Sequence, residues 1–461
     1  MVVTQPIYTS FSDVFGRMIP LYIAFLLFGI GSIVFAMAQS MAVVILGRVL
    51  QDLGGGGLDV LGEIIVADIT SLKERPLYLG LLAIPMAAGS VLGPIIGAAF
   101  AEYATWRWIG WINLPLVGIG FLLIFFFLRL RPIDQSVLLK LEHVDWFGML
   151  LFAIGLTSFI LPLSWGGSMY SWQSWQTILP LVLGLFVLVG FGFYESRPFA
   201  PVFPYHLFRS ATALTTLFGS FVHGLIVYCL VLYLPIYFQG VRLQEPVKAA
   251  ISAFPLSFTV IPFSCLSAIA VEFFRRYRWN IWLGWIFLPC GLGLMSLLDR
   301  SSSVAAQSGF QVIAGLGIGT LYCVLVIPMQ ASAPSVDDTG LAVGMLVFFR
   351  LFGTVVGLAL GSATFNNVFK HHIASIGPLP PSTAILENSN EAIGFIPSLR
   401  SLNVPPATMA FILEAYMSSI RAIWLIMAGL GAVGCLTSLF TKELTLEKDD
   451  VGRQRFEPSS S

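Results

Sequence analysis

Residues 43 to 68 read VVILGRVLQDLGGGGLDVLGEIIVAD, an apolar stretch of membrane-crossing length that carries Arg48, Asp52, Asp59 and Glu63 around four consecutive glycines. At about 100° per residue these four side chains fall within roughly 60° of one another on a helical wheel. They form one polar stripe. A charge at the centre of a bilayer costs about 3 kcal/mol even on lenient insertion scales, so the stripe must face protein or water. It is the wall of a pathway or a buried ion-pair network, and either choice points to transport across a membrane.

The rest of the chain agrees with that setting. Of 461 residues, 57% are hydrophobic and 10% charged, and 38 are Phe, which excludes an ordinary soluble domain. Stretches able to cross about 30 Å of hydrocarbon lie near 20 to 38, 43 to 68, 77 to 101, 109 to 128, 146 to 165 and 178 to 195. Six more lie near 211 to 238, 249 to 271, 279 to 298, 306 to 331, 341 to 364 and 419 to 440. These twelve spans are expected to be helices, because lipid leaves no partner for an open sheet edge.

With the Asp13 to Arg17 loop placed in the cytoplasm, alternate loops put fifteen Lys and Arg on that side and seven on the other. That asymmetry orients the bundle with its C-terminus inside. The remaining two, Arg48 and Arg350, lie within spans. The five cysteines sit in apolar stretches with no C-x-x-C or Cys/His spacing, so they are expected to be packing residues, with no metal site. No N-glycosylation sequon occurs, and the first residues lack the basic, apolar and small-residue regions of a signal peptide.

Comparing spans by glycine pattern exposes a weak repeat. Gly54 to Gly57 match Gly315, Gly317 and Gly319 about 262 residues later, and Gly89, Gly93 and Gly97 match Gly353, Gly357 and Gly361 at 264. Two bundles of similar design follow, residues 1–128 and 211–440, joined by a segment 129–210 that contributes an inserted helix pair, and trailed by a cytoplasmic tail 441–461. Within the joint, Arg129 to Asp145 mixes leucines with charges and suits a short interfacial helix. From Ala407 onward the last long loop is expected to become helical and lead into the final span.

The span 77 to 101 contains Gly80, then Gly89-Ser-Val-Leu-Gly93-Pro94-Ile-Ile-Gly97. Glycines four apart let another helix approach closely, and Pro94 removes a backbone hydrogen bond and bends the axis. That whole pattern resembles the antiporter motif of the major facilitator superfamily, confined largely to its drug:proton exchangers. Arg48-Val-Leu-Gln51 before the glycine run resembles the R-x-x-Q-G motif of the preceding helix, with Asp52 where the family usually has glycine. Asp13, Gly16 and Arg17 resemble its cytoplasmic D-x-x-G-R loop, with Thr9 at the leading glycine and Met18 at the second basic position. Trp106-Arg107-Trp108 and Trp111-Ile-Asn113-Leu-Pro115 are similar to the signature of the fourteen-helix branch, especially its filamentous-fungal members. In that branch the D-x-x-G-R loop follows two complete helices, so the resemblance implies a chain lacking the first helix and most of the second.

Two readings of the stripe stand side by side. In one, Asp59 and Glu63, adjacent at i and i+4, carry protons, with Asp52 a further candidate, and the resemblance associates Arg48 with proton transfer. In the other, an Arg48 to Asp52 ion pair fixes packing and Asp68 caps the cytoplasmic end. Arg350 is the corresponding charge of the C-terminal half, open to a carboxylate partner or an anionic group. His223, Tyr228, Tyr233 and Tyr237 are candidates for the wall of a substrate cavity, His223 being equally a hydrogen-bonded core residue.

The expected protein is an all-α, polytopic carrier of major facilitator type. It exports a small amphipathic organic compound, a drug or fungal secondary metabolite by resemblance, in exchange for protons. A vacuolar carrier for basic amino acids, a siderophore exporter and a transport-inactive regulator remain alternatives. No H-E-x-x-H or G-x-S-x-G motif suggests an enzyme, and no P-loop suggests a nucleotide. The expected partners are the cargo, protons and lipid, with no cofactor and no nucleic acid, and the expected state is a monomer. The plasma membrane is the expected location and the vacuolar membrane the alternative.

Overall fold

The computed structural model describes residues 1–131, 144–167, 169–197, 201–335, 338–375 and 379–446. The N-terminal part contains α1 (Thr4–Phe15), α2 (Met18–Ala36), α3 (Met41–Ile69), α4 (Arg75–Tyr103), α5 (Trp108–Trp111) and α6 (Asn113–Phe127). Then come α7 (Trp146–Trp165), α8 (Trp175–Tyr194), α9 (Ala211–Ile236), α10 (Pro246–Ser252), α11 (Phe254–Phe274) and α12 (Arg278–Met295). The chain continues with α13 (Val304–Val324), α14 (Val326–Ala331), α15 (Thr339–Ala374), α16 (Ala392–Leu399) and α17 (Pro406–Ser438). Among the described residues there is no strand, only an isolated bridge between Gly166 and Tyr170.

Among the described residues, ten helices or helix pairs are long and apolar enough to cross a membrane. The other two expected spans, 77 to 101 and 279 to 298, are also helical, as α4 and α12. The expected helix leading into the last span is the first part of α17. The interfacial helix expected within Arg129 to Asp145 falls mainly on 132–143, outside the described residues.

Local chemistry sets the helix ends. Asp145 caps α7 by accepting the Gly148 amide at 2.8 Å, and Ser303 caps α13 through the Ala306 amide at 3.2 Å. Prolines stand in the first turn of α4, α10, α11 and α17, where their missing N–H has no intrahelical partner to lose. After Pro235 in α9 the chain runs on as a π-helical turn, Tyr237–Val241.

Glycine positions decide which helices touch. The run at Gly54 to Gly57 admits α2 on one side, through Ala24 and Phe28, and α1 on the other, through Thr4 and Tyr8. On α13, Gly315 and Gly319 likewise admit α11 while Gly317 backs onto Leu288 of α12, so the first half of the sequence repeat has a parallel in packing. The second half does not. Gly353, Gly357 and Gly361 of α15 lie against Phe221, Leu225 and Tyr233 of α9, whereas a Cβ at Gly89, Gly93 or Gly97 meets nothing within 4 Å. The expected close helix contact along that ridge is absent among the described residues.

The pair α7 and α8 packs on itself and reaches the rest through aromatic rings. Phe152 lies 5.6 Å from Phe348 of α15, and Phe203, in the segment entering α9, lies 5.2 Å from both Phe152 and Phe348. At the end of α8, Glu195 is buried and accepts the Phe203 amide at 2.5 Å, holding that segment down. Burial pushes its carboxyl up to about 7, with nearby Asp145 adding to the effect and the Phe203 and Val202 amides opposing it.

Two outcomes follow for stability. Gly317→Ala places a methyl 2.7 Å from the Leu288 Cα and is expected to cost about 1 to 3 kcal/mol. Gly93→Ala is expected to be neutral or stabilising by up to about 1 kcal/mol; thermal melting of the two purified proteins tests both. A carboxyl with a raised folded-state pKa favours folding below its ordinary range and loses that contribution as pH rises through about 7. Glu195→Gln is therefore expected to flatten the fall in melting temperature between acid and mildly alkaline buffer, and an unchanged slope would refute it.

Candidate functional site

The polar stripe of α3 divides in two. Asp59 and Glu63, one helical turn apart, point into the interior, while Arg48 and Asp52, toward the Met41 end of α3, are exposed on the protein surface. The Arg48 to Asp52 ion pair does not form. Arg48 instead donates to Gln51 Oε1 at 3.2 Å and lies 4.1 Å over the Phe35 ring, and Gln51 donates to Ser32 Oγ at 2.9 Å. One azimuth on a wheel covers a helix along its whole length, and its neighbours cover only part of that face.

At the inner end of the stripe, α15 supplies the counter-charge. Arg350 Nη1 reaches Glu63 Oε1 at 3.3 Å, a pair in which the residues are only 7% and 6% exposed. Its Nη2 donates to the Tyr322 carbonyl at 3.3 Å, and its guanidinium lies 4.5 Å over the Tyr322 ring. The contact is single rather than bidentate: Glu63 Oε2 and Arg350 Nε are buried with no hydrogen-bond partner among the described residues. Asp59, half-buried, accepts from Gln5 Nε2 of α1 at 2.8 Å and stands within the field of Arg350.

Around this cluster lie Tyr322 of α13, whose hydroxyl donates to Met86 Sδ of α4 at 2.8 Å, and Tyr228 of α9, 42% exposed yet within electrostatic range of Asp59 and Arg350. Five helices thus converge on two carboxylates and one guanidinium. His223 is buried with Nε2 3.1 Å from the Ile318 carbonyl and its ring 6.3 Å from Tyr322, so it is a hydrogen-bonded interior residue beside the cluster. Tyr233 and Tyr237, expected as cavity candidates, make no hydrogen bond or ring contact with this cluster among the described residues. Both are buried in the C-terminal core, Tyr233 against Phe365 and Tyr237 with its hydroxyl on the Asp299 carbonyl at 3.0 Å.

The loop residues gather at the other end of α3. Gly16 turns the chain at φ 91°, a conformation that favours glycine. Arg17 is thereby delivered to Asp68 at 2.8 Å and to Asp13 at 3.2 Å, and it also donates to Ser12 Oγ at 2.8 Å. Asp68, expected as a helix cap, is thus an ion-pair partner. Arg75, which no motif marked, donates to the Ala67 and Thr70 carbonyls at 2.5 and 2.8 Å, and to Gln330 of α14 at 3.2 Å. It satisfies the open end of α3 and ties α4 to α14. On α4, Pro94 lines a small cavity of about 40 Å³ with Leu230, Leu234, Pro235 and Phe254, and Gly89 and Gly93 are exposed.

Among the described residues no group of His, Cys, Asp and Glu could hold a metal ion. The geometry is that of a polytopic helical carrier with a charged centre between its N-terminal and C-terminal helices. Residues 1–358 match the family profile of the Major Facilitator Superfamily. The "MFS-type transporter sphD" of Aspergillus fumigatus is 47% identical over 463 residues, covering 99% of this chain and 79% of that protein. The "Efflux pump FUS6" of Gibberella moniliformis is 33% identical over 463 residues, with 99% and 82% covered. The "Acurin A biosynthesis cluster MFS-type transporter" of Aspergillus aculeatus is 33% identical over 465 residues, with 99% and 83% covered. Among solved structures, the human organic anion transporter MFSD10 superposes with a TM-score of 0.59 at 14% identity, over 95% of this chain and 80% of that one. The proton:xylose symporter XylE gives 0.59 at 12% identity, over 98% and 86%. The chain belongs to the Major Facilitator Superfamily. It is an integral, multi-pass membrane transporter of the fungal efflux type, and not an enzyme.

Removing one partner of the Glu63–Arg350 pair strands a buried charge. Arg350→Met alone is expected to cost about 3 to 5 kcal/mol, and adding Glu63→Gln to recover much of that loss. Melting temperatures of the single and double variants measure the coupling, and additive losses would show that the pair is not formed.

Proposed function

We propose that this protein exports small amphipathic organic compounds from the cytoplasm in exchange for protons, with Asp59 and Glu63 as the proton-carrying groups. The observation that carries the proposal is the buried Glu63–Arg350 contact, which joins α3 of the N-terminal part to α15 of the C-terminal part across 287 residues of sequence. A proton on Glu63 removes the charge that Arg350 holds and so weakens the tie between the two parts. Ionisation restores it. Residues 1–128 and 211–440 act in this reading as two bundles that rock about the site, with 129–210 inserted between them and 441–461 as tail.

With both carboxylates ionised the centre carries one excess negative charge. One proton brings it to neutrality, so proton and cargo compete for a single electrostatic state, which is what exchange requires. Tyr228 and Tyr322 offer aromatic faces beside the charges for the apolar part of the cargo. Arg17 with Asp68 and Asp13, Arg75 with Gln330, and Arg275 donating to the Lys73 carbonyl at 2.7 Å hold the end of the bundle assigned to the cytoplasm. In this reading the ridge Gly89, Gly93, Pro94 and Gly97 serves the change of conformation, and Arg48 takes part in proton transfer. The plasma membrane is the site of action in this proposal.

The test uses membrane vesicles holding the protein, an imposed pH gradient and a panel of amphipathic fluorescent dyes including rhodamine 6G. Wild-type vesicles are expected to accumulate dye and to lose that accumulation with a protonophore. Asp59→Asn is expected to abolish gradient-driven accumulation at normal protein levels. Accumulation that survives the protonophore sinks proton coupling, full coupled transport in Asp59→Asn sinks the assignment of Asp59, and no accumulation of any dye sinks the cargo class.

A further inference from the structure

Among the described residues, Gln5 is the one side chain from α1 that reaches the charged centre by a hydrogen bond, and it is fully buried. Its Nε2 donates to Asp59 Oδ2 at 2.8 Å, while its Oε1 is buried with no partner among the described residues. A buried amide carbonyl left without a donor is costly, and such groups call for an explanation. Packing alone supplies none. An apolar side chain of similar shape would fill the same space without an orphaned oxygen.

An amide has a property no apolar side chain has: turning it over about its terminal torsion exchanges a donor for an acceptor at the same point in space. Asp59 as a carboxylate is acceptor only. As an acid it acquires an O–H that needs an acceptor. We propose that Gln5 is the positioning residue for Asp59, its amide donating N–H to the ionised carboxylate and, turned over, accepting the O–H of the protonated acid through Oε1. This rests on the reading of Asp59 as a proton carrier. The only covalent change is the Asp59 O–H bond, made with a proton arriving from water and broken by its return to water. The amide turns but does not itself gain or lose a proton. The carbonyl without a partner in the ionised state is the acceptor that the protonated state uses.

Other groups near Asp59 do not duplicate this. Glu63 shares its helix and is committed to Arg350 of α15. Tyr228 of α9 and Tyr322 of α13 are neutral groups within the field of Asp59 that make no hydrogen bond to it among the described residues, and the Tyr322 hydroxyl is donated to Met86. Tyr8 of α1 lies against Gly57. His223 is held at the Ile318 carbonyl.

The test is a pH titration of the purified full chain in lipid by infrared difference spectroscopy, with no cargo added. The Asp59 acid carbonyl band is assigned by its loss in Asp59→Asn. In Gln5→Met the charge-assisted bond lost from the carboxylate is about twice as strong as the neutral bond lost from the acid. The titration midpoint is therefore expected to rise, by roughly five-fold in proton affinity. The acid carbonyl band is expected to move to higher wavenumber, as for an acid without an acceptor. Should Gln5→Met fail to fold, Gln5→Asn, whose amide is one methylene too short to reach, is expected to give the same two shifts. A midpoint and band unchanged from wild type overturn the proposal and leave Gln5 as a packing residue. A wild-type protein with no titrating Asp59 band instead overturns the proton-carrier reading, and this proposal with it.

Discussion

A guanidinium inside an apolar bundle has to be matched, because the cost of removing it from water exceeds what packing can return. Arg350 is that group here, and its needs organise the centre of the molecule. It takes a carboxylate from α3, a carbonyl and an aromatic face from α13, and leaves one nitrogen unused. For Glu63 to arrive, α3 must pass close to α15, and Gly340 of α15 allows this by leaving room for Ile64 of α3 and the Arg17 side chain, while Gly344 receives Thr9 of α1. A central ion pair therefore governs helix spacing some distance away.

The same match explains why the centre is suited to change. A pair built for permanence uses both guanidinium edges and both carboxylate oxygens. This one is joined at a single 3.3 Å contact with an unused atom on each side. Neither partner is exposed enough for water to replace the other freely, so loss of the Glu63 charge alters the balance between α3 and α15 directly. The tighter pair is peripheral: Arg17 and Asp68 meet at 2.8 Å, supported by Ser12 and Asp13. Firm contacts thus hold one end of α3, and a single contact holds its centre to α15.

Glycine works differently at different places on one fold. On α3, α13 and α15 it lets whole helices touch, and backbone or side chains of the neighbours occupy the space a Cβ would take. On the ridge of α4 the space beside Gly89, Gly93 and Gly97 is open. Identical spacing in the sequence therefore says that a helix can be approached closely, not that it is.

From its sequence alone the chain declared an all-helical membrane protein, the positions of its long helices, the carrier family through the α4 and loop motifs, and the side of α3 that bears charge. Each of these is a one-dimensional property: length of an apolar run, a helical period, a local motif. Only the tertiary structure decided which charges of the stripe are buried, that Glu63 answers Arg350, that Gln5 holds Asp59, that Asp68 serves Arg17 instead of a helix end, and that Tyr233 and Tyr237 are buried while Tyr228 is exposed. A helical period fixes the direction of a side chain around an axis but not the depth at which a neighbour covers it. The partner of a buried charge is set by which helices the glycines allow to meet, and that choice is made across hundreds of residues.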